Sequence, residues 1–189
     1  MSKKQSNAPN EFIQLIKKWR LIQQPTEHHQ LFKKMIGEWD VKLIFHGSGQ
    51  CWESKCKAKN ELLHEGRFLM EQITGEIYAP DEKGNMRPEP YSATRIIGYD
   101  NYKKAYCGSF FENQNSYILN FIGRNHLAGN SNQIDFYGLS DEPMMEINDA
   151  AMKYSLLVEN ESSYKWQVYA LALGNNSLAF EFLFERFKL

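Results

Sequence analysis

A chain of 189 residues and 22.1 kDa is long enough to bury about 70% of the surface its unfolded form exposes, so one domain can hold together without disulfides or a structural metal. With 42% hydrophobic residues, 24% charged residues and a mean hydropathy of -0.57, the composition is that of a soluble globular domain, unusually rich in aromatic side chains at 14%. The formal net charge of -1 lacks the basic excess that binding a phosphate backbone demands, which argues against nucleic acid as a partner.

The first element is a helix over Glu11 to Ile22, where Phe12, Leu15, Ile16 and Trp19 recur at the i, i+3, i+4, i+7 spacing of one face. Pro25 ends it, Thr26 is a candidate N-cap, and Leu31, Phe32, Met35 and Ile36 mark a second short helix from Glu27 to Ile36, stopped by Gly37. The period then changes to two. Trp39, Val41, Leu43 and Phe45 alternate with Asp40, Lys42 and His46, which predicts the first strand, with Ile44 as the exception.

The clearest strand runs from Trp52 to Leu62, where Glu53, Lys55, Lys57, Lys59 and Glu61 form one charged face. Its other face carries Trp52, Ser54, Cys56, Ala58 and Asn60, mostly small side chains that suit a cavity wall better than a packed core, and so predicts a hollow interior. Further strands are predicted over Arg67 to Tyr78, Tyr91 to Tyr99, Lys104 to Phe111, Ser116 to Gly123, Gln133 to Leu139, Met152 to Glu159, Tyr164 to Leu173 and Leu178 to Phe187. A lengthened loop is read over Ala79 to Pro90. About ten strands without an intervening helix predict an all-β fold, a closed antiparallel meander barrel behind one or two N-terminal helices, with a two-sheet sandwich as the alternative. Residues 1–24 form an extension and 25–189 a single barrel domain.

The order His29 to Trp39 with its G-x-W, then Gly66-Arg67-Phe68-Leu69, then Ile97-Gly98-Tyr99-Asp100, then Glu185-Arg186 at the last strand end, resembles an uncharacterised bacterial family of unknown function with a calycin-like barrel. The resemblance covers Glu27 to Phe187 and implies a barrel with a cavity for a small apolar molecule, while bringing no established activity. Arg186 alternates in phase with Phe182 and Phe184 and so points inward; in barrels of this kind an Arg or Lys of the last strand packs across the G-x-W tryptophan, here Trp39, while the short helix plugs that end, and the rival role for Arg186 is to bind a ligand's acidic group. Some such barrels hold haem through one histidine, and His126 lies in a loop where such a ligand would sit. Beside Gly129 and Asn130 it reads better as an exposed loop residue, and no cofactor is expected.

None of the five histidines has metal-ligand spacing, so no metal site is predicted. His29 suits helix capping or lid packing. The three cysteines Cys51, Cys56 and Cys107 show no C-x2-C pair and no local basic signature, and read as reduced cytoplasmic thiols. Glu53, Glu61, Glu181 and Glu185 read as solvated outer-face residues. The longest stretch without a charged residue, Trp166 to Phe180, is too short and too broken by Gly174-Asn175-Asn176-Ser177 to span a bilayer, so no membrane association is expected.

Two functional classes follow. The preferred one is a small-molecule binder, with Trp52, Cys56, Tyr99, Trp166, Phe182 and Phe184 as cavity wall and Arg95 as polar anchor. Arg95 shares a strand phase with Tyr91, Ala93, Ile97 and Tyr99, and the alternation leaves open whether that phase faces inward. The alternative is an isomerase-like enzyme using a Tyr or buried acid as proton carrier, and an inward acid or His near Arg95 would favour it. A third class is an interaction protein. The first helix is too apolar to stand free, and is expected to pack on the barrel wall or to pair with a second copy as a homodimer.

Overall fold

The computed structural model describes residues 8–47, 49–125, 132–142, 146–174 and 177–187. Helices α1 (Ala8–Ile22) and α2 (Glu27–Lys33) precede β1 (Gly37–Gly47), β2 (Gln50–Leu63), β3 (Phe68–Pro80), β4 (Met86–Asp100) and β5 (Ala105–Glu112). The chain continues through β6 (Leu119–Asn125), β7 (Gln133–Glu142), β8 (Ile147–Val158), β9 (Ser163–Ala170) and β10 (Leu178–Arg186). Every strand pairs antiparallel with its neighbours in the chain, and β1 closes the ring on β10 from Trp39 opposite Arg186 to Phe45 opposite Phe180. The fold is therefore the closed ten-stranded meander barrel, not a sandwich. Closure satisfies the backbone of both end strands and leaves no continuous free edge.

Alternation places the faces as expected. On β2, Ser54, Cys56, Ala58 and Asn60 are buried while Glu53, Lys55, Lys57 and Lys59 are exposed. The inference of a hollow behind those small side chains needs correction for one half of the barrel. Trp39, Tyr164, Phe184 and Trp166 are fully buried and fill the space that Ala58 and Asn60 leave. The aromatic share of the composition fills a lumen wider than aliphatic side chains alone would close.

Two element boundaries differ from expectation for identifiable reasons. α2 stops at Lys33, three residues before Ile36: the chain tightens there to i→i+3 bonds, Lys34 N–H to Leu31 O at 3.2 Å and Met35 N–H to Phe32 O at 3.0 Å, and the Met35 carbonyl accepts the Trp39 indole N–H at 2.9 Å and Asn60 Nδ2 at 2.8 Å. The region 79–90 is largely strand: β3 runs to Pro80, β4 resumes at Met86, and Asp81 Oδ1 accepts the N–H groups of Lys83 and Asn85 to close a tight turn. Pro88 and Pro90 are tolerated there because β4 pairs with β5 only from Ala93 onward, leaving one side of that segment without a ladder.

One end of the barrel is closed. Leu31 and Phe32 of α2, followed by Met35, are buried against it, and His29 caps the helix by accepting the Thr26 N–H on Nδ1 at 2.9 Å. Burial holds the His29 imidazole below its ordinary pKa, which keeps that acceptor available. The Arg186 guanidinium lies 4.3 Å from the Trp39 ring centre and donates to Ile36 O at 2.5 Å, Lys34 O at 3.2 Å and Glu161 O at 2.8 Å. Gly37, at φ 111°, starts β1 in a conformation that disfavours other residues, and a Cβ there would stand 2.7 Å from Arg186 Nη1.

α1 is not covered by the barrel wall: Phe12, Leu15 and Trp19 are 63%, 65% and 58% exposed. Its C-terminal end is tied to the closed end, where Asn101 Nδ2 donates to Ile22 O and Gln24 O and Arg67 Nε donates to Gln23 O, each at 2.8 Å. No helix among the described residues is long and apolar enough to cross a membrane.

Candidate functional site

Register builds the site. Asn60 on β2 stands opposite Glu71 on β3, Glu71 opposite Arg95 on β4, and Arg95 opposite Phe110 on β5, so one inward row crosses four strands. The Tyr91, Ala93, Arg95 and Ile97 phase of β4 faces inward, which settles the orientation the alternation left open. Arg95 is 4% exposed and Glu71 2%, and Arg95 Nη1 donates to Glu71 Oε1 in a charge-assisted contact. Glu71 Oε2 accepts the Tyr164 hydroxyl at 2.7 Å, and that hydroxyl accepts Asn60 Nδ2 at 2.7 Å. The Trp166 indole N–H lies near the Glu71 carboxylate and favours its charge, although it stands outside hydrogen-bond geometry. Burial pushes the Glu71 carboxyl up, and Arg95 and Tyr164 pull it back down.

The Arg95 guanidinium sits 4.3 Å from the Trp166 ring centre, 5.1 Å from Phe110 and 5.3 Å from Phe182. Aromatic faces thus supply the partners that one carboxylate leaves unfilled around a delocalised cation. Toward the open end, Tyr91 OH donates to Glu112 Oε2 at 2.6 Å and Asn115 Nδ2 donates to Glu112 Oε1 at 2.9 Å. Burial raises the Glu112 carboxyl above the usual range, while Tyr91 and the Arg95 charge draw it down. On the facing wall the Tyr154 hydroxyl is buried and has no hydrogen-bond partner among the described residues. Its ionisation is pushed up by burial and further by Tyr117, against a smaller pull from Arg95.

Of the wall residues expected from sequence, Trp166 and Phe182 gather around Arg95. Phe184 stacks on Tyr164 at 4.1 Å in the filled half. Trp52 stacks on Phe45 at 5.5 Å, and Phe45 on Phe180 at 5.1 Å, which places all three at the open rim. Cys56 is buried on the inner wall with its Sγ donating to Glu76 O at 3.3 Å, and burial raises its thiol pKa. Tyr99 lies elsewhere, stacked on His28 at 3.9 Å beneath α2. His126 lies outside the described residues, and no group of three potential metal ligands occurs among those described. Glu71, Glu112 and Tyr154 carried no signal in the sequence beyond strand phase.

The outer wall also carries a groove of about 480 Å³, lined by Phe68, Ile96, Cys107, Ile122 and Tyr137 above Gly98 and Gly108.

Fold and site together define a closed meander barrel with an ionic and aromatic cluster in its lumen. The chain belongs to a family of proteins of unknown function, DUF1579, whose pattern matches residues 24–186. No curated protein matches it. Among solved structures it is similar to a redesigned beta barrel, with a TM-score of 0.41 and 10% identity over 84% of this chain and 96% of that one.

Proposed function

We propose that the open half of the lumen binds a small, mostly apolar molecule that carries one hydrogen-bonding group. The observation that supports this is the unpartnered Tyr154 hydroxyl, buried across from Glu112 and Tyr91. A buried polar atom without a partner costs about 1–3 kcal/mol, and a ligand's polar group would recover that cost.

Tyr154→Phe tests this. The variant is expected to be as stable as the parent or about 1 kcal/mol more stable, because it removes an unsatisfied group and keeps the ring. Native mass spectrometry of protein purified in parallel should show less of any retained small molecule. A variant that loses stability and retains the same adduct would overturn the reading, and loss of the adduct on Ile122→Glu instead would move the site to the outer groove.

The structure also supplies what favours the enzymatic alternative, since Glu71 contacts Arg95 and Glu112 stands within reach of its charge. Glu112, with its raised carboxyl pKa and its Tyr91 partner, is the candidate proton carrier. Glu112→Gln separates the two readings: a binder retains its molecule in this variant, whereas an isomerase retains substrate and product in altered proportion.

A homodimer through α1 belongs to the same proposal, supported by the exposed Phe12, Leu15 and Trp19. Light scattering is expected to give twice the monomer mass for the whole chain and the monomer mass for a chain without residues 1–24. Monomer mass for both would remove this element.

A further inference from the structure

We infer that Cys51, His46 and Glu181 form a thiol-exchange site on the outer face of the open rim, separate from the lumen. His46 and Cys51 are directly opposite each other across the β1–β2 hairpin, and Glu181 enters from β10 opposite Ile44, two residues along on the same outer face as His46. Cys51 Sγ is 3.2 Å from His46 Nδ1, and His46 Nε2 is 3.0 Å from Glu181 Oε1. Glu181 Oε2 accepts Gln167 Nε2 at 2.9 Å, and Gln167 Oε1 accepts the Tyr169 hydroxyl at 3.2 Å. The carboxylate is thereby held from both sides. It favours a proton on Nε2, which leaves Nδ1 to accept from the thiol.

The surroundings fit this role. Cys51 is exposed to a reagent, while the His46 and Glu181 side chains are 26% and 18% exposed and so hold their orientation. Glu53, two residues from Cys51 on the same face, is paired with Lys42 at 3.3 Å. Lys153 stands over Tyr169 at 4.6 Å, at the far end of the same row. Neither of the other cysteines has such a base: Cys56 is buried on a carbonyl, and Cys107 reaches only Ala105 O at 4.0 Å.

The chemistry is exchange with a small disulfide. Cys51 passes its proton to His46 Nδ1 as its sulfur attacks one sulfur of the disulfide. The S–S bond of the reagent breaks, a mixed disulfide forms on Cys51, and the departing thiolate takes the proton from His46. A small thiol reverses the step, so no further oxidant or reductant is required.

The test uses the folded whole chain and the aromatic disulfide dithiobis(nitrobenzoic acid), following thiolate release at neutral pH. One fast phase is expected, and it should vanish in Cys51→Ser. His46→Asn should slow it about 10-fold at neutral pH, and added imidazole should restore part of the rate. Glu181→Gln should slow it about 3-fold. A fast phase that survives Cys51→Ser, or one whose rate is the same in His46→Asn as in the parent, overturns the inference. If His46→Asn does not fold, a parent rate no greater than that of free cysteine at the same pH overturns it equally.

Discussion

Arg95→Met with Glu71 left in place is expected to lower stability by about 3–5 kcal/mol, because it strands a carboxylate in the lumen without its cation. Glu71 is 2% exposed, and its remaining partner is the Tyr164 hydroxyl. The lost contacts between the guanidinium and Trp166, Phe110 and Phe182 add to the deficit. Glu71→Leu combined with Arg95→Met should recover most of that loss, since an apolar pair of similar volume avoids the desolvation of both charges. Urea denaturation of the two variants measures the difference directly. A single Arg95→Met variant that costs less than about 1 kcal/mol would mean that water reaches Glu71 and that the lumen is more open than its burial indicates. The double variant has a second use: if it folds with full stability yet no longer retains the molecule held by the parent, the ion pair is kept for binding.

Removing the stacked pair at the closed end should have an effect of similar size by a different route. Trp39→Ala is expected to cost about 3–5 kcal/mol, the usual range for deleting a large buried aromatic side chain. It removes a side chain that is 1% exposed, takes one of two donors from the Met35 carbonyl and takes away the face on which Arg186 rests. Arg186→Ala should cost about 2 kcal/mol, from the cation-π contact and from three carbonyl oxygens left to water. Both variants should lower the denaturation midpoint while leaving small-molecule retention nearly unchanged, because α2 plugs that end. An Arg186→Ala protein with full stability and lost retention would show that the ligand enters at the end described here as closed.

Much of the architecture is legible in the amino-acid order because it depends on local periodicity. The charged face of β2 placed its lysines outside, and the family resemblance carried by the G-x-W, together with the phase of Arg186 in β10, implied the stacked closure of the barrel. The helix ahead of β1 carried its own plug in Leu31, Phe32 and Met35. The hollow expected behind β2 was only partly right, since alternation along one strand does not tell which large side chains arrive from across the lumen.

The chemistry was decided by tertiary structure. Glu71 and Arg95 are 24 residues apart, and nothing local to either marks the other as its partner. His46 and Glu181 are 135 residues apart and meet because the last strand closes on the first. Alternation assigns a residue to a face, but its neighbours across the sheet depend on register, and a slip of one residue would turn each of these side chains to the opposite face. In a closed barrel the register of each pair is coupled to all the others through the shear. The inward row from Asn60 to Phe110 and the outward row from Cys51 to Gln167 are therefore properties of the closed ring.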